Sequence, residues 1–303
     1  MAITHRPTTT KAAMPQEPRP IDHVVVAVRD LDDARAAYER LGFTVTPTAR
    51  HPFGTANALV QLGEAYIELL AVVDPAAIPE AGEGSFSFAG FNRRFLENGE
   101  GVSMLALRSA DAAADRAAFA ADDLPIYAPM SFRRMARDPA GNEVEVGFSV
   151  TFTSDARMPD AGFFTCQHHD RDKLFWPEYR THDNGAVAIE AVVMASRDPA
   201  DYHIFFTCLT GQHDMRSDSL KLSFDTGGGK LEIVTPVAAR AMYGVDVAAD
   251  ARPTFIGVRV ATADLAAAAV TLRGRGVPFT ERMGRLIVPP EAACGVAIAF
   301  TEA

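Results

Sequence analysis

The chain has 303 residues, 48% hydrophobic and 22% charged, a composition typical of a globular protein with one or two domains. Its formal net charge of −10 argues against nucleic acid or an anionic membrane as a partner, because both bind basic protein faces. No apolar run approaches the ~18 residues that span a bilayer. The three scattered cysteines include no CxxC pair, which favours a cytoplasmic protein without disulfides or a cysteine zinc site.

The chain begins with a polar segment, after which one pattern of elements starts. Residues 1–20 lack the apolar core of a signal peptide and predict a disordered lead-in. The stretch IDHVVVAVRDLDDARAAYERLGF, from residue 21, predicts a strand and then an amphipathic helix, capped by Asp30 or Asp32 and ended at Gly42. Further strands follow and end in AYIELLAV, so the unit is βαβββ over residues 21–73.

Three later segments repeat this order of elements. They begin with GVSMLALRSADAAADRAAFA, AVAIEAVVMASRDPADYHIFF and TFIGVRVATADLAAAAVTLRG, each an apolar strand followed by an acidic or Ser/Thr helix start. Self-similarity of this kind indicates a fold made of repeated units. We therefore predict an α+β protein of four βαβββ modules.

Four motifs together, HVVVAVRDLDDARAAYERLGF, GTAN, YIELL and DPAGNEVEV, resemble the vicinal oxygen chelate superfamily, in particular its glyoxalase-like domains. The resemblance implies two tandem domains, each a cupped sheet of two modules around a metal and a substrate. It places one domain at 21–155, a linker rich in histidine and aromatic residues at 156–185, and a second domain, degenerate in its site, at 186–303. Because the superfamily includes lyases, epimerases, dioxygenases and resistance proteins, it does not name one reaction.

The first module carries the two residues that the resemblance implies as metal ligands, His23 in its first strand and Glu68 in its last strand. Imidazole nitrogen and carboxylate oxygen suit divalent first-row metals and leave positions for substrate. Glu68 also shares a strand face with Tyr66 and Leu70, where an unpaired carboxylate is costly. The structural alternatives are a polar residue at a strand start for His23 and a solvent-facing strand carboxylate for Glu68.

The resemblance implies a further site carboxylate in the second module, at Glu145 in GNEVEV, which we expect to take part in proton transfer. Glu143 has the same strand parity and competes for this position. The first strand of the module offers only Val102, Ser103 or Met104 where the family often has a histidine or glutamine. The fourth ligand must therefore come from elsewhere.

The predicted linker, FFTCQHHDRDKLFWPEYRTHDNGA, concentrates polar and aromatic residues: Gln167, His168, His169, His182 and the single tryptophan, Trp176. Adjacent strand residues point in opposite directions, so one of the neighbouring histidines can bind a metal and the other can transfer a proton. We expect His168 as the ligand and His169 as the acid–base group, with Gln167, Trp176 and His182 near the substrate. Structural anchoring of the linker between the domains is the alternative.

Three further residues are expected to contact a polar substrate. His51 and Asn57 flank the GT pair of HPFGTAN, a segment that equally suits a simple turn into a strand. Arg133 and Arg134 alternate on one strand, so one of them faces into a cupped sheet, where it would favour a carboxylate or phenolate. We name Arg133 for this role, although alternation alone does not choose between the two, and a solvated strand face is the alternative.

The sequence thus predicts a divalent-metal-dependent lyase, isomerase or dioxygenase acting on a small oxygenated molecule, with iron, manganese, zinc or nickel as the metal. The alternative is a metal-free protein that sequesters a small aromatic or drug-like ligand in the same groove. A third hypothesis, a purely structural or interaction protein, predicts no ordered pocket. Because sheet edges are open, the modules could also pair between two chains of a homodimer.

Overall fold

Two eight-stranded sheets make up the architecture of the computed structural model, which describes residues 17–303. Each sheet consists of two βαβββ modules, as predicted, and the α+β fold of two tandem cupped sheets is confirmed. The predicted lead-in at 1–20 falls outside the described residues except for positions 17–20. Every helix in the described part of the chain is too short or too polar to cross a membrane.

The first sheet has the strand order β2-β3-β4-β1-β5-β8-β7-β6. Its strands are β1 (Ile21–Ala27), β2 (Ala49–Arg50), β3 (Thr55–Leu62), β4 (Ala65–Val72), β5 (Gly101–Arg108), β6 (Met130–Arg137), β7 (Glu143–Thr153) and β8 (Gly162–His168). The helices of this half are α1 (Leu31–Arg40), α2 (Phe88–Phe95) and α3 (Ala112–Ala121).

The second sheet repeats this order as β10-β11-β12-β9-β13-β16-β15-β14. Its strands are β9 (Ala186–Ala195), β10 (Met215–Ser217), β11 (Lys221–Asp225), β12 (Lys230–Val234), β13 (Thr254–Thr262), β14 (Thr280–Arg282), β15 (Arg285–Val288) and β16 (Ala297–Glu302). The helices of this half are α4 (His203–Thr210), α5 (Pro236–Tyr243) and α6 (Leu265–Gly274).

Strand pairing shows where each module ends. In each module of the first sheet the first strand pairs in parallel with the last, β1 with β4 and β5 with β8, and β1 pairs antiparallel with β5 to join the modules. The second module therefore ends with β8 and not with β7. The first sheet extends to His168, beyond the boundary predicted at 155, because a strand of the sheet lies inside the segment interpreted as a linker.

Local sequence explains why the modules repeat. Asp30, Asp111 and Asp264 accept hydrogen bonds from backbone N–H groups in the first turns of α1, α3 and α6, which stabilises each helix start. The chain then leaves α1 through Gly42, whose φ of +90° favours glycine. Tyr38, fully buried on α1, packs its helix against the sheet.

The core has three parts, which separate the outer faces of the sheets from their hollows. One cluster covers the outer faces of both sheets and joins the two halves, with Phe163 packed on Phe205, Phe206 and Phe255 at ring distances of 5.1 to 5.8 Å. Separate clusters fill the two hollows, where α2 packs in the first and α5 in the second. The hollows are therefore independent environments.

Buried ion pairs close the second hollow. Arg259, 2% exposed, contacts Glu232 through Nη1 at 2.8 Å and Glu190 through Nε at 2.9 Å. Its Nη1 also lies 2.9 Å from the Tyr243 hydroxyl, and Lys221 lies 2.8 Å from the other oxygen of Glu232. Burial raises the pKa of Glu232, but its contacts with Arg259 and Lys221 outweigh this and lower the pKa from 4.5 to about 2. The charged groups of this hollow are therefore paired with one another.

This ion pair predicts part of the acid sensitivity of the fold. Because the pKa of Glu232 is lower in the folded state, Glu232 stabilises the protein above pH 4.5 and loses this contribution as the pH falls toward 2. In the Glu232→Gln variant, the free energy of unfolding should fall less steeply between these values, by up to about 1.4 kcal/mol per pH unit. Urea denaturation at several pH values measures both slopes.

Glu281→Gln is the matched control, because Glu281 and its partner Arg273 are both largely exposed. This variant should keep the wild-type slope. A Glu232→Gln slope equal to that of the wild type would contradict the assignment.

Candidate functional site

A cavity of about 430 Å³ lies in the hollow of the first sheet. Strand alternation builds its wall, because every second residue of β6, β7 and β8 points to this side of the sheet. The wall is mainly aromatic and includes the phenylalanines Phe53, Phe88, Phe132, Phe148, Phe152 and Phe164.

A β-bulge sets Asp22 and His23 side by side at the start of β1. In the pairing of β1 with β5, Ile21 faces Leu107 and His23 faces Ala106, so Asp22 is an extra residue. Such a bulge interrupts alternation and re-aims a side chain. Oδ1 of Asp22 lies 2.7 Å from Nδ1 of His23, whose other ring nitrogen, Nε2, lies on the cavity side. Val25, two residues further on, packs in the same hollow, so alternation aims His23 into the hollow and the bulge brings Asp22 beside it.

Asp22 is shared by three basic groups. Nε2 of His168 contacts the same Oδ1 at 2.9 Å, and Nη1 of Arg171 lies 3.4 Å from Oδ2. Asp22 is fully buried, which raises its pKa, but His168 and His23 together lower that pKa well below its usual range. The carboxylate stays ionised and holds His23 from behind, as carboxylates orient metal-binding histidines. His168, predicted as a metal ligand, thus has Nε2 committed to Asp22 and does not line the cavity.

Glu68, which the sequence places on a strand face with apolar residues, faces the cavity and is 5% exposed. Its Oε1 accepts a hydrogen bond of 2.5 Å from Nδ2 of Asn57, and its Oε2 lies 3.7 Å from Nε2 of His23. The Tyr66 ring stacks on the imidazole of His23 at 4.5 Å. The solvent-facing alternative for Glu68 is therefore wrong.

His51 joins this group from the turn between β2 and β3. Its Nδ1 lies 2.8 Å from the Thr55 hydroxyl, and its Nε2 lies 3.8 Å from Oε1 of Glu68. Gly54 permits the turn, because its φ is +86° and a Cβ there would lie 2.3 Å from the carbonyl oxygen of Asp74. Burial, then the charge of Arg134, lower the pKa of His51 well below 6.5. His51 is therefore a neutral imidazole, the form that binds metals.

The donors around Glu68 are of the types that bind divalent first-row metals, although the one group of three such ligands within 4.8 Å of one another in residues 17–303 is Asp22, His23 and Cys166. The separations of 3.7 and 3.8 Å from His23 and His51 to Glu68 are too long for hydrogen bonds, and Nε2 of His51 also lies 3.4 Å from Nδ2 of Asn57. Two imidazoles and one carboxylate form a ligand set known for first-row metals, with positions left for substrate. Oδ1 of Asn57, buried without a partner among the described residues, adds an uncommitted oxygen.

The second module offers no ligand at the matching positions. Counted back from the capping aspartates of α1 and α3, Met104 matches His23. The pairing of β5 with β8 makes Phe164 the counterpart of Glu68. The potential ligands around Glu68 therefore all come from the first module.

A second group of potential ligands lies beside His23. Asp22, His23 and Cys166 each place one donor atom within 4.8 Å of the other two. Asp22 is already engaged by two imidazoles, and burial raises the pKa of the Cys166 thiol well above 9. A protonated thiol is a poor ligand, so this group fits a metal less well than the donors around Glu68.

Strand parity keeps three predicted residues out of the cavity. Glu145 and Arg133 lie on the outward positions of β7 and β6, where they pair with each other at 2.9 Å and are more than half exposed. His169 follows β8, and its Nε2 lies 2.9 Å from the Ser149 hydroxyl near the surface. The expected role of Glu145 depended on β7 being the last strand of the module, whereas β8 is that strand.

The remaining linker residues hold the chain together. Gln167 contacts the backbone at the start of α3 through Ala110 and Ala112. The Trp176 indole donates to the Lys173 carbonyl at 3.3 Å. His182 accepts from the Thr44 N–H at 2.9 Å and donates to the Gln61 carbonyl at 2.7 Å. These contacts match the alternative in which the linker has a structural, anchoring role. None of Gln167, Trp176 and His182 lines the cavity.

Sequence reasoning placed His23, Glu68, His51 and Asn57 in the group that the structure brings together, but it missed others. Arg134, rather than Arg133, is the inward arginine of β6 and is 7% exposed. Alternation showed that one of the pair faces inward without showing which. Asp22 and the phenylalanine wall carried no signal, because both depend on the bulge and on strand register.

Comparisons with known proteins agree with this geometry. A family model described as "Glyoxalase-like domain" matches residues 21–209, more than half of the chain. No curated protein matches the chain significantly by sequence. The structural neighbours below are under 25% identical and show the fold alone.

Three solved structures resemble this one. A hypothetical protein from Staphylococcus aureus has a TM-score of 0.65 at 13% identity, covering 94% of this chain and 99% of its own. A mutant of 4-hydroxymandelate synthase from Streptomyces coelicolor has a TM-score of 0.57 at 11% identity, covering 94% and 92%. A fusion protein of a xylose isomerase-like TIM barrel and 4-hydroxyphenylpyruvate dioxygenase has a TM-score of 0.56 at 16% identity, covering 91% and 42%.

The contacts of His23 and His182 predict opposite imidazole tautomers. Asp22 requires a proton on Nδ1 of His23, whereas the Thr44 N–H requires an unprotonated Nδ1 in His182. Nitrogen-15 NMR of the histidine rings in metal-free protein near pH 8 should show this difference. The variants His23→Gln and His182→Gln assign the signals, and the same tautomer for both residues would contradict the arrangement.

Proposed function

The chain belongs to the glyoxalase-like domain family, and on this premise we propose that it is a divalent-metal-dependent enzyme of the glyoxalase or dioxygenase type. The proposed metal ligands are His23, Glu68 and His51 in the first hollow. The observation that carries the proposal is the convergence of two imidazole nitrogens on one buried carboxylate at 3.7 and 3.8 Å. The proposed substrate is a small oxygenated organic molecule that enters the aromatic cavity.

Each neighbouring group has a defined part in this proposal. Asp22 holds His23 in the tautomer that directs the Nε2 lone pair to the cavity, and Asn57 fixes the carboxylate of Glu68. The phenylalanine wall excludes water, which strengthens electrostatic interactions inside the cavity. A metal held there supplies Lewis-acid stabilisation of an enolate or oxyanion. Glu145 and His169 have no part in it, because they lie outside the cavity.

One observation favours a second function, a metal-free protein that sequesters a small ligand. The second module places Met104 and Phe164 where the resemblance predicts ligands, so the first module alone must hold the metal. In this alternative, His23 and Glu68 would be bridged by water across their 3.7 Å separation. Metal content distinguishes the two functions.

We expect about one equivalent of a divalent first-row metal in the wild-type protein, measured by plasma mass spectrometry after native purification or reconstitution. The variants His23→Ala and Glu68→Ala each remove a ligand and should bind metal at least tenfold more weakly. Asp22→Asn removes only the orienting charge and should weaken metal binding about 10–100-fold. Iron would direct the next assays to oxygen uptake, and zinc or nickel would direct them to lyase and isomerase reactions.

His169→Ala is the matched control, because His169 lies at the surface away from the cavity and should keep the full metal content. Wild-type protein without metal after reconstitution would rule out the metalloenzyme and favour the binding protein. Equal loss of metal in His169→Ala and His23→Ala would contradict the proposed ligand set.

A further inference from the structure

Arg134 is a buried cation without an anionic partner. It lies on β6, is 7% exposed and lines the cavity. Its Nε has no hydrogen-bond partner among the described residues, and its Nη1 makes only a 3.4 Å contact with the adjacent carbonyl of Met135. Glu68 is the carboxylate whose charge it senses most strongly, yet the two form no ion pair within 4.0 Å. A buried guanidinium left in this state is costly for the fold.

The neighbours of Arg134 keep the guanidinium in place without neutralising it. Its guanidinium carbon lies 5.6 Å from the centre of the Phe148 ring, a cation–π contact. Phe148 stacks on Phe132 at 5.1 Å, and Phe132 meets Phe53 edge-on at 5.1 Å. The donors of Arg134 therefore share one cavity with flat apolar surfaces. Burial also lowers the pKa of Arg134, which an anion bound beside it would reverse.

We propose that this cavity binds a small aromatic carboxylate, with its carboxylate on Arg134 and its ring among the phenylalanines. A guanidinium presents a planar fork of donors that matches the two oxygens of a carboxylate. The phenylalanine faces accept an aromatic ring by edge-on or offset contacts. The inference rests on the proposed function, because it names the substrate class of the same cavity.

The charge of the cavity supports an anionic ligand. With a divalent metal on Glu68, the charges of the metal, of Glu68 and of Arg134 would leave a positive excess in a space closed by aromatic rings. An anion relieves this excess, whereas a neutral molecule of the same shape does not. A carboxylate held by Arg134 also leaves the opposite end of the ligand free to approach His23 and Glu68.

Phenylacetate and phenylacetamide are a matched pair of probes, because they share size and shape and differ in charge. Isothermal titration calorimetry on the full chain should show at least tenfold tighter binding of phenylacetate. The Arg134→Met variant should lose this preference, and the two probes should then bind within a factor of about three of each other. Phenol, a third probe, should bind no better than phenylacetamide.

Arg133→Met is the matched control, since Arg133 is the next residue of the same strand but points outward to Glu145. It should keep the wild-type preference. Arg134→Met should also melt at the same or a higher temperature, because methionine replaces an unpaired buried charge with an apolar side chain. If Arg134→Met does not fold, Arg134→Lys, which keeps the charge without the fork, should retain only part of the preference.

Any of the following results would overturn the inference: equal binding of acid and amide to wild type, a preference that survives in Arg134→Met, or binding of neither probe. A preference for phenol would also overturn it in favour of a phenolate. The titrations are made on metal-stripped and on metal-loaded protein. If the protein binds no metal but still prefers the acid, the metalloenzyme proposal fails and a carboxylate-binding protein remains. If the protein binds metal but shows no preference for the acid, this inference alone fails.

Discussion

Both hollows depend on one constraint, which is a carboxylate that each sheet buries at the same position of its strand pairing. Glu68 pairs with Val25 across its parallel ladder, and Glu232 pairs with Val193 at the equivalent place. A buried charge is costly until a partner compensates it. Glu232 forms an ion pair with Arg259, whereas Glu68 has Asn57 within hydrogen-bond distance, His23 and His51 at 3.7 and 3.8 Å, and Arg134 in the same cavity beyond ion-pair distance. The carboxylate of the second hollow is therefore paired with an arginine, and that of the first hollow is not.

A second shared feature, the β-bulge in the first strand, is used differently in the two halves. Asp22 is the extra residue of β1 and Glu190 is the extra residue of β9. Asp22 turns to two imidazoles and fixes the direction of His23, while Glu190 pairs with Nε of Arg259 at 2.9 Å. The same β-bulge thus lies beside an open cavity in one half and a filled core in the other. The difference comes from side chains on the neighbouring strands and not from the fold.

Local patterns predicted the modules and the capped helices, because these follow from alternation and spacing along the chain. The family resemblance, and not these patterns, pointed to His23 and Glu68 as site residues. Glu145 was misplaced for a tertiary reason. The true last strand, β8, lies in the segment interpreted as a linker, so β7 was taken as the strand beside β5. The inward member of the pair Arg133 and Arg134 could not be chosen either, since it depends on how β6 registers with β7.

The buried arginines of the two hollows, Arg134 and Arg259, differ in their partners. Arg259 is surrounded by acceptors, and its charge is balanced where it lies. Arg134 has an aromatic face beside it and no carboxylate in ion-pair distance among residues 17–303, although Glu68 lines the same cavity. An apolar side chain at that position would pack against the phenylalanines without the desolvation penalty of a charge. In the free protein the guanidinium has a cation–π contact with Phe148 and no ion pair, which supports the proposed carboxylate ligand.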